Sequence, residues 1–204
     1  MLELDHIAVL GESLEEAVEL IERAFGLPML PGGNHARFGT HNQLLGMAPQ
    51  LYIEAIAIDP GALPPPDARW FGLDTFLGPA KLNKWICRVP DMDAALEALP
   101  MAGRKVELTR GALSWTMAVP LDGELPFDGM FPAFIQWLGD VPAPGKAMSS
   151  GSLELKALTV RHPEAAALGA LLEPLLDAPL VRFEQAEEPG LAARIAVDGE
   201  EIVL

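Results

Sequence analysis

Apolar runs interrupted by a single polar residue alternate along this chain with segments whose apolar positions recur every three or four residues. Leu2-Glu3-Leu4-Asp5-His6-Ile7-Ala8-Val9-Leu10 reads as a strand. Ser13 to Phe25 reads as an amphipathic helix with Leu14, Ala17, Val18, Ile21 and Phe25 on one face. Ser13 stands at an N-cap position with Glu16 three residues on, and Gly26 at the left-handed closing position. A short strand is expected around Leu27–Leu30 and a Gly-Gly-Asn turn over Gly32–Asn34. A strand pair, or a strand with a long turn, follows over His35–Gly39 and Thr40–Gly46. Leu51–Ile58 is a strand that Asp59-Pro60 ends.

The same order then returns. Leu82–Val89 is a strand and Asp91–Leu99 a helix capped by Asp91. Gly103–Leu108, Ser114–Pro120 and Ala133–Leu138 are strands. Between the copies, Pro60–Pro79 carries Pro64-Pro65-Pro66, which cannot join a sheet or a helix interior and reads as a connector. After a Val141–Gly151 linker comes a third, truncated copy: strand Leu153–Val160, helix Pro163–Leu176, strands Val181–Gln185 and Leu191–Val197, and a short Glu201–Leu204. Repeated β-α-β-β-β units define an α+β protein in which two modules, residues 2–60 and 80–140, form one cupped mixed sheet. The expected domains are 1–145 and a C-terminal βαββ half-module, 146–204, packed on it.

Composition narrows the function. A net charge of −15 is the wrong sign for nucleic acid and for anionic membrane surfaces. No apolar run reaches a membrane-spanning length, and no basic-then-apolar leader opens the chain, so a cytoplasmic protein is expected. The single cysteine, Cys87, sits in an apolar run and reads as a reduced core residue. No Gly-rich phosphate loop, nucleophile elbow or Cys–His pairing is present.

Two polar residues inside apolar strands stand out. His6 is either a ligand or a core histidine bonded to backbone. Glu54, between Ile53 and Ala55, must be paired, protonated or turned to a cavity. His35, His41 and Asn42 surround the Gly39-Thr40 turn, as a pocket wall or as ordinary turn chemistry. Trp85, Trp115 and Trp137 are core residues or aromatic walls, and Arg110 is suited to hold an acidic group through its fork of donors. His162, before Pro163, reads as a helix-capping residue.

Leu4-Asp5-His6-Ile7-Ala8-Val9 followed by a Glu-rich helix resembles the opening strand of the vicinal-oxygen-chelate superfamily, and Tyr52-Ile53-Glu54-Ala55-Ile56 its module-closing strand. Gly39-Thr40-His41-Asn42-Gln43-Leu44-Leu45, Trp115 in Ser114–Ala118, and Phe134-Ile135-Gln136-Trp137 resemble the glyoxalase-like domain branch. The resemblance covers roughly residues 2–140. In the superfamily's metalloenzymes each module supplies two ligands, from its first and last strands. That role falls on His6 and Glu54 in the first module and on Trp85 or Lys84, with Gln136, in the second. Indole offers no lone pair, an ammonium must first lose its proton, and an amide is a weak donor. The resemblance therefore implies a small-molecule pocket lined by His6, His41, Asn42, Glu54, Trp85, Arg110, Trp115 and Gln136. It implies either no metal or a divalent ion (Zn, Mn, Fe or Ni) on His6, Glu54 and Gln136. Glu54 is the only candidate general base, so glyoxalase I activity is not expected. The functions left open are a metal-free binding protein, like the superfamily's antibiotic-sequestering members, and a metal-dependent lyase, isomerase or dioxygenase. A third is an interaction protein that forms a homodimer through its strand edges.

Overall fold

In the computed structural model, which describes residues 1–148 and 152–204, the expected strands and helices are present in order, most with small shifts at the ends. The exception is one strand, Leu30–His35, which replaces those expected around Leu27–Leu30 and over His35–Gly39, where residues 36–39 form a turn. The first module is β1 (Glu3–Leu10), α1 (Leu14–Phe25), β2 (Leu30–His35), β3 (Thr40–Met47) and β4 (Leu51–Ile58). The second is β5 (Lys81–Arg88), α2 (Met92–Ala98), β6 (Arg104–Arg110), β7 (Leu113–Val119) and β8 (Ala133–Leu138). Local chemistry sets the helix ends. Ser13 accepts from the Glu16 amide at 3.2 Å, Gly26 takes φ +65°, and Asp91 accepts from the amides of Asp93 and Ala94. Leu14, Ala17, Ile21 and Phe25 bury one face of α1 against the sheet.

The eight strands pair in the order β2-β3-β4-β1-β5-β8-β7-β6. The second half mirrors the first about the antiparallel β1/β5 pair. Within each module the first strand runs parallel to the last, His6 opposite Tyr52 and Ala8 opposite Glu54 in the first. Central strands covered on both faces read as continuous apolar runs, which is why β1 and β4 carry so few polar residues. The sheet is bent so far that its two end strands, β2 and β6, meet. The cup is thus almost a closed barrel.

Three departures from the expected pattern matter. Gly32–Asn34 is not a turn but part of β2, paired with β3 through a bulge between Pro31 and Gly33. A Cβ on Gly32 would lie 2.4 Å from the Asn42 carbonyl oxygen, so this close approach admits only glycine. The Pro-rich connector is also more than a tether. Its Trp70–Gly72 turn folds over the cup, with Trp70 stacked on Phe38 at 4.5 Å and Gly72 donating to the Gly123 carbonyl at 2.9 Å. Of the expected Val141–Gly151 linker, Pro144–Ala147 form a short helix α3, while residues 149–151 lie outside the described residues.

The C-terminal unit has β9 (Leu153–His162), α4 (Ala165–Leu172), β10 (Val181–Gln185), β11 (Gly190–Val197) and β12 (Glu200–Val203). Its order of elements repeats the modules but its strand order, β10-β9-β11-β12, does not. Here the first strand lies parallel to the second, because the short α4 returns the chain directly beside β9. This sheet packs on the outside of the cup, with Phe183 6.3 Å from Trp85 and backbone bonds tying Leu2 to Leu175 and Asp177 and Ala48 to Leu153.

Candidate functional site

Alternation along β4 turns Tyr52 and Glu54 to the inside of the cup. On β1 alternation breaks. Leu4 opposes Cys87 and His6 opposes Ile86, so Asp5 is the extra residue of a β-bulge. The bulge lets two consecutive side chains, Asp5 and His6, serve the same cluster. Asp5 Oδ1 lies 2.7 Å from His6 Nδ1, and its Oδ2 accepts from Trp137 Nε1 at 3.0 Å. His6 Nε2 points at Glu54 Oε2, 3.5 Å away, while its ring stacks on Tyr52 at 4.2 Å.

The cluster continues into the first module's edge and then across to the second. Glu54 Oε1 accepts from Asn42 Nδ2 at 2.6 Å. Asn42 Oδ1 accepts from the Gly33 amide at 2.9 Å and from Arg110 Nη1 at 3.0 Å. Arg110, at the end of β6, reaches over the seam where the sheet's ends meet, and its Nη1 also lies 3.3 Å from His35 Nε2. His35 Nδ1 in turn lies 3.0 Å from Thr40 Oγ1. Gly33 makes the crossing feasible, since a Cβ there would sit 2.7 Å from Arg110 Cδ.

The protonation states follow from these partners. Burial works against a charge on His6, but bonds to Asp5 and Glu54 and the fields of both carboxylates outweigh it and raise its pKa to about 9. His6 is an imidazolium at neutral pH. Burial alone would push the Glu54 carboxyl up, yet the bond and charge of His6, with the Asn42 amide, hold it below the usual carboxylate range. His35 goes the other way: burial, helped by the Arg110 cation, lowers it to about 4. It is a neutral ring that accepts from Arg110 at Nε2 and donates from Nδ1 to Thr40. Burial and the Asp5 and Glu54 charges keep the Tyr52 phenol protonated.

The opposite wall comes from the second module and is apolar: Trp115 and Met117 from β7, Ile135 and Trp137 from β8. Trp70 and Phe71 of the connector close the top, Phe71 with a left-handed backbone at φ +64°. The space left at the centre is about 30 Å³, room for a water or two.

The donor set does not suit a divalent ion. A metal takes the lone pair of a neutral imidazole, so it would have to displace the proton that His6 holds between Asp5, at 2.7 Å, and Glu54, at 3.5 Å. The second module adds no oxygen, nitrogen or thiolate ligand to the cavity wall, while Arg110 brings a cation to it. Among the described residues, no group of three or more His, Cys, Asp or Glu is placed to hold a metal.

Of the residues singled out by sequence, the structure brings His6, Glu54, Asn42, Arg110 and Trp115 together around this cavity, with His35 and Trp137. It leaves three out. Gln136 faces the other side of β8, where its Oε1 accepts from the Met92 amide at 3.0 Å and its Nε2 donates to the Pro90 carbonyl at 3.0 Å. It caps α2 and ligates nothing in the cup; a one-residue change of register is a change of face. Trp85 is fully buried beneath the C-terminal sheet, its Nε1 donating to the Met130 carbonyl at 2.8 Å. His41 neighbours Asn42 on β3 and so lies on the opposite face. Asp5, Tyr52 and the Trp70–Phe71 lid were not anticipated. Asp5 carried the one available signal, a second polar residue beside His6 that strict alternation would send to the wrong face.

A cup made from two mirrored βαβββ modules, with its polar cluster on the inner face, is the fold of the vicinal-oxygen-chelate superfamily. The chain matches the Glyoxalase-like domain family over residues 4–176 and belongs to that family. Among solved structures it is similar to a hypothetical protein from Staphylococcus aureus at 14% identity and a TM-score of 0.64, covering 100% of this chain and 84% of that one. The shared fold therefore includes the C-terminal sheet. A methylmalonyl-CoA epimerase from Mycobacterium tuberculosis aligns at 21% identity and a TM-score of 0.43, over 71% of this chain and 90% of its own. Comparison with curated proteins finds no match. Among the described residues no helix is long and apolar enough to cross a membrane.

Proposed function

We propose that the cup is a metal-free binding site for a small organic molecule. The observation that carries this reading is that the second module turns no ligand into the cup, Gln136 being bonded to the Met92 amide and the Pro90 carbonyl. That leaves His6 and Glu54, 3.5 Å apart, without the further ligands a metal centre needs. Buried charges are expensive unless paired, and a cluster of this size at the floor of a cavity is more than packing requires. The residues divide the work. Asn42 and His6 orient Glu54, Asp5 orients His6, and the aromatic wall excludes water and offers flat apolar contact.

Glyoxalase I chemistry has no place in this proposal. It needs a carboxylate basic enough to take a proton from carbon beside a metal, and Glu54, its pKa held below the usual range, is hydrogen-bonded to Asn42 and paired with His6. The test is elemental analysis of protein purified without a histidine tag, before and after equilibration with Zn²⁺, Mn²⁺, Ni²⁺ or Fe²⁺. Substoichiometric metal is expected, with no rise in Tm. One ion per chain, lost in both His6→Ala and Glu54→Ala, would overturn the reading. Ligand-observed NMR with a panel of small aromatic and aliphatic molecules tests the binding itself, with binders expected to protect the signals of Trp115 and Trp137.

A further inference from the structure

The hydrogen-bonding inventory of the cavity is lopsided. Its acceptors are already used: both Asp5 oxygens serve His6 and Trp137, both Glu54 oxygens serve His6 and Asn42, and the Asn42 carbonyl serves Gly33 and Arg110. Its donors are not. Arg110 forms no ion pair among the described residues, and all its bonds run through Nη1, leaving Nη2 and Nε without a protein partner. Trp70, in the same wall and 4% exposed, has its indole N–H buried and unpartnered among the described residues. A cation with spare donors and no counter-ion, beside a second spare donor, asks for a ligand that brings oxygen acceptors and negative charge. Beyond these donors the cavity is lined by the faces and edges of Trp115, Trp137 and Phe71, with Arg110 6.0 Å from the Trp115 ring. Such walls accept a flat apolar body.

Resting on the small-molecule reading above, we infer that the ligand is an aromatic carboxylate, its carboxyl group held by the Arg110 fork and its ring laid against the Trp115–Trp137 wall. Arg110 already bonds Asn42, whose amide holds Glu54, so the anion binds at the cationic end of the cluster and remains separated from the ionised Glu54 by that amide. The cavity of about 30 Å³ is smaller than a benzene ring, and the ring takes the place now filled by Phe71. Phe71 holds a left-handed backbone at φ +64°, which sets the direction in which its ring enters the cup.

The probes are benzoate and its neutral counterparts, benzamide and benzyl alcohol, titrated against wild type, Arg110→Gln and Arg110→Lys by tryptophan fluorescence and ligand-observed NMR. Wild type is expected to bind benzoate at least about tenfold more tightly than benzyl alcohol, as a charge-assisted bond implies. Arg110→Gln is expected to abolish that preference while keeping its grip on benzyl alcohol, which also reports that the cup is intact. Arg110→Lys should restore part of it. Equal affinity for benzoate and benzyl alcohol, unchanged in Arg110→Gln, overturns the carboxylate assignment and leaves the small-molecule site standing. Failure of every probe, charged or neutral, to bind wild type overturns the small-molecule reading itself.

Discussion

Raising the pH through the slightly alkaline range should cost this protein stability, and His6 is the reason. Its pKa moves from an ordinary 6.5 in the unfolded chain to about 9 in the folded one. A raised folded pKa contributes stability that is fully present below pH 6.5 and is gone once the pH has passed 9. The whole contribution is about 3 kcal/mol, from 1.36 kcal/mol for each pKa unit. Between pH 6.5 and 8 it should fall by about 1.5 kcal/mol. Lys84 works in the opposite direction. Burial lowers it to about 8, so its penalty on the folded state is relieved only above that pH and returns no more than a few tenths of a kcal/mol below it. Urea unfolding at pH 6.5, 7.2 and 8.0 reads the slope. The ring-carbon resonances of the histidines, assigned with His6→Gln and His35→Gln, read the site. His6 should stay protonated through pH 8 and His35 neutral down to pH 5. A His6 midpoint near 6.5, or stability flat across this range, would refute the buried imidazolium and the part of the argument against a metal that rests on it.

Glu54→Gln keeps the shape but leaves His6 with one carboxylate, so it should cost about 2–3 kcal/mol in urea unfolding at pH 7 and lower the His6 midpoint. Gln136→Leu removes the side chain that holds the Met92 amide and should cost about 1 kcal/mol of stability without altering ligand affinity. A large affinity loss with unchanged stability would instead return Gln136 to the site. Gly33→Ala places a methyl 2.7 Å from Arg110 Cδ and should weaken benzoate binding severalfold in the same fluorescence titration, with little change in Tm.

The apolar strands and capped helices were legible because they obey local rules: periodicity, capping spacing and glycine at helix ends. The repeat supplied the pairing of modules. What local rules could not give is face. Gln136 lies one residue from Trp137, and only the pairing of β8 with β5 and β7 decides which of them enters the cup. Asp5 escaped because a bulge depends on the partner strand, and Trp85 because its cover, the C-terminal sheet, follows a strand order the element order does not reveal. The Pro-rich connector looked featureless by composition, since its role rests on Trp70 and Phe71 docking against distant aromatic rings.

The near-closure of the barrel at the β2/β6 seam bears on how fast anything can enter. A free space of about 30 Å³, flanked by Arg110 and the Trp70–Phe71 lid, is too small to take a benzoate-sized molecule without rearrangement. Entry waits on an opening event, and diffusion no longer sets the pace. The observed association rate should level off as ligand concentration rises, at the frequency of that opening. The net charge of −15 repels an approaching anion, so added salt should speed the early, unsaturated part of that curve and leave its plateau unmoved.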